Sequence, residues 1–471
     1  MKNMTLEKIA EACHGTYVGE KELRHRTIQG AVTDSRQVAE GFLFIPIKGA
    51  RVDGHDFIAD VVKNGAAAVL SERELTDCAA PYIKVDSSEQ ALKEIAAYYR
   101  SQLTIPIVGI TGSVGKTSTK EMIASVLSQC YHVLKTAGNF NNEIGLPLTL
   151  LRIREEHEAA VVEMGISDFG EMHRLAKMAQ PDICVITNIG ICHLEKLKTR
   201  EGILKAKSEI FDYLKPEGHI VLNGEDDKLS TITEVKGVRP LFYGKKEAQT
   251  ESSQTNLSKI VKGIYADQIQ NCGLEGVKAH IHTPKGSIEV SIPIPGEHNV
   301  FNAMAAAAVG LFLGMELSAI KTGIEHVETI GGRSNLMEIG GLTVIDDCYN
   351  ANPVSMQASL DVLGNGQGRT IAVLGDMGEL GENERKLHYQ VGVYAAKKQI
   401  DTIFCAGLLS RELAKGAKET AMDCQVFHFE TRQEMTEQLL RYLKKGDTVL
   451  VKASHFMEYP KVVEAIKAKF L

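Results

Sequence analysis

The chain has 471 residues, 44% hydrophobic and 24% charged, with a formal net charge of −7. That length exceeds one ordinary domain and suggests about three, while the composition is that of a folded chain with ample core. The acidic balance gives no electrostatic reason to expect DNA or RNA as a partner. The nine cysteines are scattered without a Cys-x-x-Cys pair or Cys/His metal spacing, and Met1–Glu7 leads into no apolar run. Reduced thiols, a cytoplasmic location and no membrane insertion are therefore expected.

Residues 1–103 mix short strands and helices. Gly41–Ile47 and Ala66–Leu70 read as strands, and Glu89–Arg100 as an amphipathic helix. Over residues 104–328 strands alternate with helices. Ile105–Ile110, Glu158–Met164, Asp182–Thr187 and Ile220–Asn223 are near-continuous apolar runs, as parallel strands covered on both faces require. The tract Lys245–Ser258 is polar and reads as a surface loop or hairpin excursion, and a long helix follows His298 to Leu313. Residues 329–471 repeat the rhythm, with strands at Leu342–Asp346, Thr370–Leu374, Thr402–Cys405 and Thr448–Val451. The expected fold class is α/β in three domains: a small N-terminal α/β domain, a central P-loop-type domain with a mostly parallel sheet, and a C-terminal Rossmann-like α/β domain.

The stretch Thr111-Gly112-Ser113-Val114-Gly115-Lys116-Thr117-Ser118 follows an apolar run and opens the helix-like segment Lys120–Leu127. A strand, a glycine-rich turn and a helix start make an anion cradle. Lys116 can reach the β/γ-phosphates of a nucleotide and Thr117 can coordinate Mg²⁺. The usual first glycine of such a loop falls at Ile110, and Gly109 lies one residue early. Glu163 and His193 each follow a strand end, where an open α/β sheet gathers its ligands. A carboxylate, an imidazole and a hydroxyl suit a Mg²⁺ shell completed by substrate oxygens. For His193 alone a satisfied surface histidine is an equal reading. Gly375-x-x-Gly378-x-x-Gly381 lacks the dinucleotide spacing and reads as a strand-to-helix turn.

Thr111–Ser118, Asn139–Pro147, Glu163-Met164-Gly165, Asn188–Glu195, Ala206–Phe211, His298–Ala303 and Asp346–Pro353 together resemble the Mur ligases of bacterial cell-wall synthesis. The likeness covers essentially the whole chain in the right order. It implies an ATP-dependent amide-forming ligase in which Gly112, Ser113, Val114, Gly115, Lys116, Thr117 and Ser118 hold the ATP phosphates. Asn302, Arg333 and Asp347 would hold the adenosine part. Thr117 and Glu163 would bind one Mg²⁺ ion; His193, with a carbamate on Lys207, would bind a second. Sequence alone makes Lys207 a solvated helix charge; the carbamate is implied only by the resemblance. Lys116, Glu163, His193 and Lys207 are the implied catalytic set. Ser35, Arg36, Lys48, Gly49 and His55 resemble the family's UDP-sugar recognition segments, although each alone reads as a polar turn. The segment Asp346–Pro353, with Asn139–Pro147, looks like that of members joining D-alanyl-D-alanine to a UDP-N-acetylmuramoyl tripeptide, with Asn142, Tyr349, Asn350 and Asn352 on the substrates. On turn chemistry alone, Asn350 and Asn352 could instead shape a turn before Pro353. A monomer is implied.

Alternatives stand beside this reading. A sister ligase adding the third peptide residue usually carries Asp-Asn-Pro-Arg when it selects diaminopimelate, and the chain has no such segment. Folylpolyglutamate or cyanophycin-type ligases share the central domain, and a non-catalytic nucleotide-binding scaffold would not need Lys116, Glu163, His193 and Lys207. Lys452-Ala453-Ser454-His455 departs from the family's usual Lys-Gly-Ser-Arg.

Overall fold

The computed structural model describes residues 1–49, 51–76, 78–246 and 263–471. Most of the polar tract expected as a loop, from residue 247 on, lies outside the described residues. The strands form three sheets. The first holds β1 (Thr16–Val18), β2 (Gly30–Val32), β3 (Phe42–Phe44), β4 (Ala68–Ser71) and β5 (Tyr82–Lys84) in the order β1-β5-β4-β3-β2. All its pairs are parallel except β1 with β5.

The second sheet comprises β6 (Ile107–Thr111), β7 (Val133–Lys135), β8 (Ala159–Glu163), β9 (Ile183–Ile186), β10 (His219–Asn223), β11 (Leu241–Lys245), β12 (Ile264–Asn271), β13 (Val277–Thr283) and β14 (Gly286–Ile292). Its order is β14-β13-β12-β11-β10-β9-β6-β8-β7. Strands β6, β8 and β9 are buried throughout. Their unbroken apolar character follows from helices lying on both faces. One face packs on the helices Lys116–Leu127, His298–Phe312 and Leu317–Glu325; the other shares a continuous core with the first sheet. The antiparallel β12–β14 excursion went unread in the sequence, because its strands alternate instead of running apolar. After β8 the chain crosses to the other side of β6, so the sheet's switch point lies at the C-terminal ends of these central strands. That is where an open α/β sheet gathers its ligand.

The third sheet has β15 (Asn335–Ile339), β16 (Leu342–Asp346), β17 (Thr370–Gly375), β18 (Thr402–Ala406), β19 (Gln425–Phe429) and β20 (Thr448–Lys452) in the order β15-β16-β20-β17-β18-β19. Only β15 runs antiparallel to its neighbour. Gly375–Gly381 leads from β17 towards the helix Glu384–Lys397, so it is a strand-to-helix turn as the sequence suggested.

The helix Ser88–Ser101 joins the first sheet to the second. Arg100 is 1% exposed and donates to the carbonyls of Ala179 and Gln180 and to Asp182 Oδ2 at 2.8–3.0 Å. Tyr99 donates its hydroxyl to Ile153 O at 2.7 Å. A guanidinium taken from water is tolerable only when its donors are used in this way.

Candidate functional site

At the end of β6 the chain turns into the helix Lys116–Leu127, four residues earlier than the sequence pattern suggested. Two glycines make the turn possible. A Cβ on Gly112 would stand 1.9 Å from Thr187 Oγ1, so no side chain fits between the loop and the end of β9. Gly115 caps the helix at φ +81°, in the left-handed region that disfavours other residues. Val114 is clamped from the end of β9: its N–H donates to Asn188 Oδ1 at 3.0 Å, and its carbonyl accepts from Asn188 Nδ2 at 3.0 Å and Thr187 Oγ1 at 2.6 Å. The loop is therefore held in shape by its own neighbours. It leaves helix-start N–H groups for an anion. Lys116 folds back over it, Nζ donating to Gly112 O at 3.0 Å.

Glu163 closes β8 and is 1% exposed. Its Oε2 accepts from Thr117 Oγ1 and its Oε1 from Asn141 Nδ2, both at 2.8 Å. Its own N–H donates to Thr136 Oγ1 at 3.0 Å. The carboxylate is thereby aimed at the helix start that closes the phosphate loop. His193 follows β9 at φ +50° and caps the short helix Leu194–Leu197. Its Nδ1 lies 2.6 Å from Glu379 Oε2, which comes from the third sheet's side, in a close approach without hydrogen-bond alignment. The imidazole holds the Glu379 carboxyl below its usual range.

Lys207 overturns the solvated-charge reading. It lies in the helix Arg200–Ser208 and is 1% exposed. Burial, helped by the nearby Lys116 cation, lowers its ammonium pKa to about 8. Lys207 shares the buried face with Ile203 and Ala206 at helical spacing, so its position in the stripe signals burial although its residue type signals solvent.

Beside the loop, on the helix His298–Phe312, Asn302 accepts from Thr119 Oγ1 at 2.7 Å and donates to Asn299 Oδ1 at 2.9 Å. Arg333 lies over the Tyr349 ring, 4.1 Å from its centroid, and Tyr349 faces His455 at 5.7 Å. Asp347 accepts from Ser334 N at 3.1 Å, Ser359 Oγ at 2.5 Å and the buried Lys452 Nζ at 2.6 Å. Asn302, Arg333, Ser334, Asp347, Tyr349, Ser359 and Lys452, with Ser113–Ser118, Glu163 and His193, border one cavity of about 850 Å³ that opens between the second and third sheets.

Comparison with known proteins matches residues 110–310 to the Mur ligase middle domain, 332–455 to the Mur ligase glutamate ligase domain, and 27–100 to the Mur ligase family catalytic domain. The chain is 38% identical to the UDP-N-acetylmuramoyl-tripeptide–D-alanyl-D-alanine ligase of Bacillus subtilis (strain 168), over 98% of each chain. The chain belongs to the Mur ligase family. Among solved structures it is similar to MurF from Acinetobacter baumannii (34% identity, 99% of each chain, TM-score 0.86). It is also similar to MurF ligase from Thermotoga maritima in complex with ADP (29% identity, 94% of this chain and 97% of that one, TM-score 0.79).

In this Mur ligase two groups of sequence-derived candidates behave differently from the rest. Ser35, Arg36, Lys48, Gly49 and His55 do not border the cavity. They sit beyond the adjacent ends of β2 and β3. Arg36 forms a two-pronged pair with Asp34 at 2.7 and 2.9 Å, which pulls that carboxyl down to about 2. His55 is buried; Nδ1 meets Asp53 at 2.7 Å while Nε2 accepts from Glu72 N at 3.1 Å. With both nitrogens engaged, His55 holds the loop's shape and offers no ring atom to a ligand. Asn352 borders the cavity, but its Oδ1 accepts from Ser355 N at 2.9 Å in a capping box on the helix Pro353–Leu363. Asn142 likewise spends its oxygen on Ile144 N and Gly145 N, and Asn350 on Ala351 N. For these asparagine oxygens the turn reading describes the geometry. Asn141, Asn188 and Lys452 were missed. The first two lie inside segments the sequence singled out, Asn141 next to the chosen Asn142 and Asn188 five residues before His193. Lys452 opens the Lys452–His455 segment noted in the sequence, but only its tertiary contact with Asp347 shows what it holds.

Proposed function

We propose that this ligase joins D-alanyl-D-alanine to UDP-N-acetylmuramoyl-tripeptide, with ATP converted to ADP and phosphate. One observation carries the ATP chemistry: the Thr117–Glu163 pair faces a preformed phosphate loop inside a cavity that also takes in Arg333, Asp347 and Tyr349. Likeness to the B. subtilis and A. baumannii proteins over nearly the full chain supports the substrate pair. In this reading residues 1–103 bind the UDP-sugar peptide through Ser35, Arg36, Lys48 and Gly49. Residues 104–328 hold the ATP phosphates on Gly112–Ser118. Residues 329–471 bind adenosine, with Asn302, Arg333 and Asp347 around it, and the acceptor dipeptide near Tyr349, Asn350 and Asn352. The protein works as a cytoplasmic monomer.

The donors present suit Mg²⁺, since the Thr117 hydroxyl and the Glu163 carboxylate are hard oxygens. Thr117 and Glu163 would hold one ion, and His193 with a carbamylated Lys207 a second. Bound Mg²⁺ would neutralise phosphate charge as it builds up in the transition state. The tripeptide carboxylate attacks the γ-phosphorus and ADP leaves, giving an acyl phosphate. The dipeptide amine then attacks the acyl carbon, phosphate departs, and the amine loses a proton. Lys116 supplies positive charge where the γ-phosphate is transferred. Asn141 and Asn188 keep the Glu163 carboxylate and the loop at fixed positions, so reorganisation during the step is small. The Lys207 amine, neutral far more readily than an exposed lysine, is disposed to take up CO₂.

The deciding assay measures phosphate release from purified protein with ATP, Mg²⁺ and the UDP-tripeptide. Release should require D-alanyl-D-alanine and should vanish in Lys116→Ala. Equal use of a single free amino acid would favour a sister ligase adding the third residue. Release independent of any acceptor would overturn the ligase assignment for this cavity.

A further inference from the structure

The β12–β14 excursion, away from the cleft, carries a cluster that the ligase chemistry does not use. Its strands put one face into the central core through Ala266, Ala279 and Ile281, and those residues are buried. Period-2 alternation turns Tyr265, Asp267, His280 and His282 to the opposite face. Register brings them together: Asp267 pairs with His280, and Tyr265 with His282. The ladder is irregular just beyond Asp267, where Gln268 takes φ +50°, as at a bulge that re-aims side chains. His282 Nε2 lies 2.9 Å from Asp267 Oδ1, and the His282 ring stacks on Tyr265 at 4.4 Å. One donor atom each from Asp267, His280 and His282 lies within 4.8 Å of the others. Among the described residues no other three His, Cys, Asp or Glu side chains converge in this way. On β14, Glu289 stands directly across from His280.

We propose that Asp267, His280 and His282 bind a divalent transition-metal ion of the Zn²⁺ class, separate from the magnesium-type site in the cleft. Two imidazoles and one carboxylate suit borderline ions such as Zn²⁺ or Co²⁺, whereas an all-oxygen set suits Mg²⁺. Bonds of about 2.0–2.1 Å in a tetrahedron place donors about 3.3 Å apart. The Asp267–His282 pair is already closer than that, and the remaining donor needs only side-chain rotation to close in. The three ligands leave one position for water. Both histidines must be neutral with a bare nitrogen facing the ion, so the Asp267–His282 hydrogen bond gives way to two metal bonds and any displaced proton goes to the solvent. Glu289 is placed to orient His280 from outside the coordination shell. The ion would pin β12 to β13 at the irregular step. Without an ion, the same residues form an ordinary cross-strand polar pair.

The test uses the full-length protein with Co²⁺ and Zn²⁺ as probes, in the presence of excess Mg²⁺. Co²⁺ should bind at one equivalent with visible d–d absorption, and Zn²⁺ should displace it. His280→Ala/His282→Ala should lose that equivalent. Asp267→Asn should weaken it by more than about tenfold, since losing a ligand costs at least as much as losing an outer-shell partner. His193→Ala should retain it. Zn²⁺ should slow hydrogen exchange of amides in residues 264–283 in the wild-type protein alone. All three histidines are at least partly exposed, and a urea titration confirms that each variant is folded. Unchanged Co²⁺ binding in the double variant, its loss in His193→Ala, or no binding by the wild type would overturn the assignment. None of these results depends on turnover, so the ligase reading stands or falls separately.

Discussion

Lys207→Met is the most informative single perturbation, because it separates the energetic burden of a buried amine from its chemical use. Burial lowers the Lys207 pKa from the usual 10.5 to about 8. Each unit is worth ~1.4 kcal/mol, so the folded state without CO₂ carries an order of ~3 kcal/mol of penalty for the charged amine. The sign follows from proton counts. Between pH 8 and 10.5 the unfolded chain binds the proton and the folded one does not, so stability rises with pH through that window. Below pH 8 both states are protonated and the full penalty applies. Methionine has similar length and no charge. In CO₂-free buffer at pH 7 the variant should therefore be at least as stable as the wild type, and its advantage should shrink as pH rises towards 10.5.

The same shift governs reactivity. At pH 7.5 about a quarter of such amines are neutral, against about one in a thousand at an ordinary lysine pKa. Adding bicarbonate should raise the wild-type unfolding midpoint, by the linkage that any ligand of the native state exerts, and leave the variant unmoved. ¹³C-labelled bicarbonate should give a carbamate carbon resonance that the variant lacks, and the variant should have almost no turnover. Urea titrations at pH 7, 8.5 and 10 provide the stability readout. A wild-type-to-variant difference that does not change with pH would refute the buried-amine argument. Full activity in the variant would refute the use of Lys207 as a carbamate.

Two other substitutions test how the acceptor side is built. Asn352→Ala should lower stability by about 1 kcal/mol through loss of the helix cap, and Asn352→Asp, which keeps the capping oxygen, should recover it in urea unfolding. The kcat/KM for D-alanyl-D-alanine should fall in the alanine variant and hold in the aspartate one; a fall in both would mean that the carboxamide itself meets the dipeptide. Lys452→Met leaves the Asp347 carboxylate without its buried cation and should cost about 3 kcal/mol, with a raised KM for ATP; a loss below about 1 kcal/mol would show that Ser334 N and Ser359 Oγ suffice.

What could be read in advance divides along a physical line. Strands β6, β8, β9, β16, β17, β18 and β20 were legible because parallel strands covered on both faces must be continuously apolar, and such runs are hard to mistake; the edge strand β19, partly exposed, was not read. The phosphate loop was legible because its constraint is local: Gly112 has no room for a Cβ and Gly115 needs a positive φ, so the chemistry is written in adjacent residues. The β12–β14 excursion failed because one of its faces is polar and its alternation is weaker per residue than a solid apolar run. The site partners divide in the same way. Glu163 was found from its strand-end position, yet the Asn141 that fixes its direction is 22 positions away in the chain, and Lys452 lies 105 positions from Asp347.

Lys207 is the sharpest case, since its residue type argues for water while its place on the face of Ile203 and Ala206 excludes it. A charged side chain buried this deeply is destabilising, and groups perturbed in this way cluster at functional sites. The same reasoning divides the asparagines. Those whose oxygens are already spent on backbone N–H groups, Asn142, Asn350 and Asn352, have a structural reason to be where they are. Asn141 holds Glu163 through its amide instead, and no local backbone demand accounts for it. Among side chains that share one cavity, the ones that local structure leaves unexplained are the ones the chemistry has to explain.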